Sequence, residues 1–146
     1  MLQREIRSYE ARLRHIIITI ALADLVGSAD TNGTDGDAEL LDLGDGEVLV
    51  DYDFEVVTPG SGGSVSSLAV TLGRSGDKDS IASALDGMAV AGLYKGTAGV
   101  RPGGLYEGET LVANFDPDGG HKLSALTAGV VKVHLYVAKP DARTVD

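Results

Sequence analysis

The sequence contains no cysteine and no tryptophan, and aromatic residues make up only 5% of its 146 residues. Without cysteine there is neither a disulfide framework nor a thiolate zinc site, so the fold has to rest on its core, another kind of metal site or a partner. The shortage of aromatic rings also argues against a glycosidase or a sugar-binding module, because such proteins present flat rings to their ligands.

Basic residues are absent from a long stretch of the chain. Between Arg14 and Arg74 there is no lysine or arginine, whereas the same stretch holds eleven of the acids that give the chain its net charge of −10. An acidic body repels phosphates, so we expect no nucleic-acid partner. Residues 1–14 differ, because they carry four arginines against two glutamates. This basic segment could dock on an acidic neighbour, including a second copy of the body; simple solvation of both parts is an equally open interpretation.

Long hydrophobic runs are also missing. The apolar run from Ile16 to Leu22 is far too short to span a membrane, and it starts late and lacks a convincing cleavage site. We therefore expect no membrane association and no signal peptide.

An apolar stripe with helical spacing is present at the start of the chain, where Leu2, Ile6, Tyr9 and Leu13 are four, three and four residues apart. This pattern predicts a helical arm over residues 1–14 that has to pack on something, because so short a helix is marginal alone. Packing on its own domain is one alternative, and docking on a neighbouring subunit is the one we favour. The predicted interface residues are Leu2, Arg4, Ile6, Arg7, Tyr9 and Leu13.

The remainder reads as short β-strands separated by turns, with 20 glycines in the chain. The fold class that this predicts is all-β, an antiparallel β-sandwich or jelly-roll-like domain over residues 15–139 with a polar tail at 140–146. Strands are expected at residues 15–22, 38–43, 47–58, 64–73, 89–95, 109–115 and 128–138, and residues 80–88 fit either a strand or a helix.

Alternation within two of these strands predicts which side chains face the core. In the strand at 47–58 we expect Val48, Val50, Tyr52, Phe54 and Val56 inside, with the acids and Leu49 outside. The segment 59–63 should end this strand in a turn and join it to residues 64–73 as a hairpin. In the last strand we expect Val131, Val133, Leu135 and Val137 inside.

Catalytic motifs are hard to find, which predicts a protein that is not an enzyme and needs no cofactor. The three histidines, His15, His121 and His134, lie in different elements without metal-ligand spacing. The pair Asp51 and Asp53 alternates onto one exposed face and has no aromatic sugar platform nearby in sequence.

A calcium site in the acidic loop is the one metal hypothesis. The run from Asp30 begins like an EF-hand loop, but its sixth position is Asp35 and its twelfth is Leu41 instead of glycine and glutamate. An irregular site formed by Asp30, Asn32, Asp35 and Asp37 therefore stays open, beside the simpler explanation that these residues favour turns.

Three segments, residues 53–73, 107–115 and 129–137, resemble small β-rich virion proteins of tailed bacteriophages. In this chain, as in those proteins, a strand ending in Thr-Pro precedes a Gly/Ser turn and a Thr-Leu-Gly strand. A strand of alternating valines closes the domain in each. The resemblance extends over residues 45–138, and it brings no active-site residues with it.

What the resemblance implies is a structural role in a virion that is assembled in the host cytoplasm. The expected role is that of a capsid decoration (cement) protein, which binds the major capsid protein or other virion subunits and forms a homo-oligomer, with a trimer favoured. A minor head or tail protein is equally compatible. The alternative is a tail, receptor-binding or carbohydrate-binding β-sandwich, whose ligand contacts would lie in loops 27–37 and 96–108.

Overall fold

The computed structural model describes residues 13–25 and 35–139, and over these it forms two packed antiparallel sheets. Their ten strands are β1 (Arg14–Ala21), β2 (Gly36–Asp42), β3 (Val48–Ser61), β4 (Leu68–Arg74), β5 (Asp77–Asp86), β6 (Gly92–Tyr94), β7 (Thr97–Ala98), β8 (Gly104–Leu105), β9 (Thr110–Pro117) and β10 (Ala128–Ala138). One sheet has the order β1-β10-β3-β6, with β8 also on β3, and the other has the order β2-β9-β4-β5-β7. The predicted all-β sandwich is therefore confirmed.

The core lies between the two sheets and is built by alternation along the long strands. On β10, Val131, Val133, Leu135 and Val137 are all fully buried, as the sequence predicts. They pack opposite inward residues of the other sheet such as Val70 of β4. Successive side chains of a strand point to opposite faces, so the residues between these valines lie on the outer face of the sheet.

The predicted orientation of the first residues of β3 is wrong, and a β-bulge is the reason. The pairing of β3 with β10 steps from Asp51 opposite Tyr136 to Leu49 opposite Val137, which leaves Val50 without a partner residue. An extra residue in one strand exchanges the inward and outward faces beyond it. Accordingly Leu49 is buried, at 1% exposure, whereas Val50 is 45% exposed.

The predicted hairpin between residues 47–58 and 64–73 is also wrong. Strand β3 continues through the Pro59-Gly60 pair to Ser61, and β4 then starts in the other sheet. The carboxylate of Asp118 holds the connection between the two strands, accepting hydrogen bonds from the backbone amides of Ser66 and Ser67 at 2.8 and 3.0 Å. A hydrogen bond from the Ser66 hydroxyl at 2.6 Å, together with these two backbone bonds, lowers the pKa of Asp118 to about 2.

Of the undecided segment at 80–88, residues 80–86 belong to strand β5 and residues 87–88 form a turn, and the segment at 96–108, expected as a loop, contains the short strands β7 and β8. Between β5 and β9 the chain alternates between the two sheets, because β6 and β8 pair with β3 whereas β7 pairs with β5. We call this edge, formed by β6, β7 and β8, the laced side. The opposite edge, formed by β1 and β2, is the open side.

A search of the described helices found none with the length and the apolar composition needed to cross a membrane.

Candidate functional site

The open side of the sandwich contains a groove of about 450 Å³ between the edge strands of the two sheets. Its apolar lining includes Ile18 and Ile20 of β1, Leu25 and Ala38 of β2. The isoleucines are half-buried and pack against the core, while Leu25 and Ala38 are buried. Because β1 has no neighbour beyond β10 among the described residues, the groove exposes the margin of the core there. We call it the edge groove.

A second depression of about 440 Å³ continues along β2 and is lined by residues 39–42. Glu39 lines both depressions, so the two adjoin each other at this residue of the edge strand. The pairing of β2 with β9 steps by one residue between Glu39 and Leu41, which marks a bulge at Leu40. Bulges of this kind twist an edge strand so that another strand cannot pair regularly with its backbone. A partner is therefore more easily bound at this edge through its side chains than as an additional β-strand.

The margin of the edge groove is acidic. Asp24 and Glu39 line it with exposed side chains, and Asp42 continues the acidic margin along β2. None of the ion pairs within residues 13–25 and 35–139 includes these three carboxylates, and the one ion pair on β2 joins Asp37 to Lys78 at 3.1 Å. A basic partner would therefore find uncompensated negative charge at this margin.

The six predicted interface residues precede strand β1 in the sequence, and Leu13 is the only one of them that the structure describes. Its side chain is 48% exposed, directly before β1. Leu2, Arg4, Ile6, Arg7 and Tyr9 lie outside the described residues. The start of β1 is fixed by an ion pair between Arg14 and Glu47.

The outer face of the first sheet carries a second polar arrangement, which we call the polar face. There Nε2 of His134 lies 2.8 Å from Oε1 of Glu55, and Nδ1 of the same ring lies 2.9 Å from Nε2 of His15. A carboxylate only accepts, so a neutral His134 donates its Nε2–H to Glu55 and accepts at Nδ1 the Nε2–H of His15. This chain of hydrogen bonds joins β1, β10 and β3 across the sheet.

The polar face continues toward the laced side through Lys95. Its ammonium group lies 2.7 Å from the carboxylate of Asp51 and 3.1 Å from that of Asp53. Partial burial opposes the charged form of Asp51, but hydrogen bonds from Lys95 and from the backbone amide of Tyr52 outweigh it and lower the pKa of Asp51. Burial likewise opposes the charge of Lys95, and the two carboxylates nevertheless raise its pKa. Both groups are therefore charged at neutral pH.

Aromatic rings do lie beside the two aspartates, which sequence proximity did not reveal. Tyr136 is opposite Asp51 in the β10–β3 register, and its ring stacks on that of His15 with centroids 4.5 Å apart. Desolvation and the carboxylate of Asp53 raise the pKa of Tyr136, whose hydroxyl donates a long hydrogen bond of 3.4 Å to that carboxylate. The only sign of this arrangement in the sequence was the alternation of His134 and Tyr136 on β10. It could not be interpreted without knowing that β1 and β3 are the neighbours of β10 in the sheet.

The structure describes half of the predicted calcium site. The carboxylates of Asp35 and Asp37 both accept hydrogen bonds from the side-chain amide of Asn114, at 3.0 and 2.9 Å, while Asp30 and Asn32 lie outside the described residues. The two aspartates are thus close together, as the hypothesis requires, but the side-chain nitrogen of Asn114 on β9 contacts both of them. No group of three or more potential metal ligands occurs among residues 13–25 and 35–139.

The loop 96–108, which the binding-module alternative would use, is tied to the body. The ring of Tyr106 is buried, its hydroxyl donates to the carbonyl of Arg101, and the guanidinium of Arg101 lies 4.2 Å from the ring centroid. The same guanidinium donates to Glu109 at 3.0 Å. These contacts fix the shape of the loop.

Comparison of the chain with protein-family models, with curated proteins and with solved structures found no significant match in any of the three.

Proposed function

We propose that this chain is a virion structural protein, namely a capsid decoration (cement) protein that stabilises a tailed-phage head through contacts between subunits and with the major capsid protein. The proposal includes a homo-oligomer, with a trimer favoured, and a role without catalysis or a cofactor. It unites the resemblance of residues 45–138 to such proteins with the asymmetry of the sandwich.

The observation that carries the proposal is the open side. Among the described residues, the edge groove leaves the margin of the core partly exposed between two edge strands, and the acidic side chains of Asp24 and Glu39 line it. Exposed sheet edges favour association with other chains, and soluble proteins normally cover or interrupt them. A protein whose role is assembly uses such an edge as an interface, and repeated subunits multiply the grip of a modest contact.

The test is the composition of particles. Particles of the phage whose genome encodes the chain are purified on a density gradient. The number of copies of the chain relative to the major capsid protein is then measured by mass spectrometry. Immunogold labelling of the same particles locates it. Hundreds of copies over the head support a decoration protein, whereas a few copies at the tail support a minor tail protein. Absence from the particles contradicts a virion role altogether.

A further inference from the structure

We infer that the edge groove is the docking site for the N-terminal segment of a second copy of this chain, so that residues 2–9 of one subunit cover the open side of the next. This inference deepens the proposed function and rests on it only for the place of the oligomer in a virion. The groove and the segment belong to the same sequence, so the interaction needs no other partner.

The apolar surfaces match in extent. Leu2, Ile6 and Tyr9 form one stripe of the helix that the sequence predicts, and residues 2–9 of a helix cover about 11 Å. The edge groove and the second depression together border β2 from residue 38 to residue 42, which is about 13 Å at the rise of an extended strand. One stripe of three apolar side chains therefore covers the exposed margin of the core.

The charges are complementary. Arg4 and Arg7 flank the stripe in the sequence, and the margin of the groove presents the carboxylates of Asp24, Glu39 and Asp42. No lysine or arginine lies between Arg14 and Arg74 to compensate that acidity locally. The basic segment consequently gains favourable electrostatic contacts on an acidic margin that repels any other acidic surface.

Reach favours a second copy over the chain's own body. Ile18, where the groove begins, lies about 17 Å along β1 from Leu13, and Ile20 lies about 23 Å away. Leu13 is not helical, so the predicted helix ends by residue 12, and a helix over residues 2–12 would be about 17 Å long. Folding back would bring only Leu2 to the groove and leave Ile6 and Tyr9 short of it. The 48% exposure of Leu13 agrees, because the last member of the stripe is not packed into its own core. Docking on another subunit removes this restriction.

Cross-linking tests the inference directly, since the natural chain has no cysteine and each variant gains a single thiol. Full-length Y9C carrying a size tag is mixed with untagged E39C under mild oxidation. The matched control replaces E39C by V90C, because Val90 is 76% exposed and precedes β6 on the laced side. We expect a disulfide-linked heterodimer with E39C and at least tenfold less with V90C. Equal yields from the two mixtures would overturn the proposed site.

The Y9C/E39C double variant distinguishes the two geometries. Docking between subunits gives covalent dimers or a closed ring on a non-reducing gel, whereas docking within one chain gives a cross-linked monomer and contradicts the inference. Light scattering of the uncrosslinked chain gives the number of subunits. A ring requires that head-to-tail contacts close on themselves.

A charge-swap series tests the electrostatic part without disturbing the core. R7E and E39R should each raise the dissociation constant of the oligomer up to about fivefold, and the R7E/E39R pair should recover most of that loss. D79R is the control, since Asp79 is an exposed acid on β5, away from the groove. Circular dichroism confirms that each variant is folded. No recovery in the pair, or an equal effect of D79R, contradicts the contact.

The two proposals fail in different ways. If the chain decorates particles but shows no selective cross-link, the docking site is wrong and the virion role stands. If the cross-link forms but the particles contain no such chain, the docking site stands and the virion role is wrong.

Discussion

On the laced side of the sandwich the chain passes between the two sheets four times from β5 to β9, whereas on the open side β1 and β2 are joined by a single passage. The laced side is held by side chains that reach across short strands, among them Lys95 on Asp51 and Arg101 on Glu109. The open side has half-buried isoleucines and an acidic margin instead. The two edges of one sandwich thus differ, with contacts between the sheets on one side and, among the described residues, a partly exposed apolar groove on the other.

The largest effect is expected from removing the Tyr106 ring, which fills the laced side from within. Y106A should lower the free energy of unfolding by about 4 kcal/mol, because it leaves a cavity at a fully buried aromatic position. Y106F keeps the ring and loses the hydrogen bonds of the hydroxyl, including the one to the Arg101 carbonyl, at a cost of about 1 kcal/mol. Urea unfolding measures both. Equal losses would mean that the hydroxyl, and not the ring, holds this side together.

Glycine 96 should come next, because the chain there lies directly against β5. Gly96 has φ of +67°, and a Cβ at this position would lie 2.2 Å from the carbonyl oxygen of Ser83. Gly108 has a similar φ of +72° with nothing within 4 Å. We expect G96A to cost about 3 kcal/mol and G108A about 1 kcal/mol, the difference being the close approach. Thermal and urea unfolding of the two variants test this. Similar losses of unfolding free energy in G96A and G108A would contradict the close approach of Gly96 to β5.

Lys95 provides a smaller and pH-dependent contribution. K95M should cost up to about 1 kcal/mol near pH 7, since the ion pairs are half exposed. The lowered pKa of Asp51 means that this stabilisation is present above the usual value of 3.8 and is lost as pH falls below it. The raised pKa of Lys95 means that it is also lost as pH rises through and beyond the usual value of 10.5.

The measurement is urea unfolding of K95M and the natural chain at pH 3, 7 and 9. The control is K132M, a change on the same outer face at a residue that takes part in none of the described ion pairs. A cost of K95M that is unchanged at pH 3 would show that packing of the lysine stem, not charge, is responsible.

The smallest effect should come from the open side itself. Ile17 is 49% exposed on edge strand β1, and I17T keeps a β-branched side chain there. We expect a change of less than about 0.5 kcal/mol in unfolding free energy. A loss above about 2 kcal/mol would mean that this edge is as tightly packed as the laced side, and the contrast between the two sides would fail.

Much of the fold could be predicted because the signals for it are local. Alternation along β10 identified the buried valines, and the β-branched run after Arg14 identified β1. The errors came where distant partners decide. The bulge at Val50 depends on the register of β3 with β10, and the place of β4 in the second sheet depends on which strands lie beside it. A short stretch of sequence contains no information on either.

The candidate site was less accessible to sequence reasoning. The contrast of a basic first segment with an acidic body was visible from charge alone, but the groove needs β1 and β2, which lie side by side at one edge of the sandwich. The polar face was missed because His15 and His134 are 119 residues apart in the sequence and meet only through the pairing of β1 with β10.

The position of β10 has a consequence for how the protein forms. Strand β10 lies between β1 and β3, so the first sheet cannot close until residues 128–138 have been synthesised. Pairings over such separations make folding slow, and until then the isoleucine-rich β1 remains unpaired. A β-branched segment left waiting in this way is prone to aggregate, so chains interrupted before residue 128 should accumulate as insoluble material.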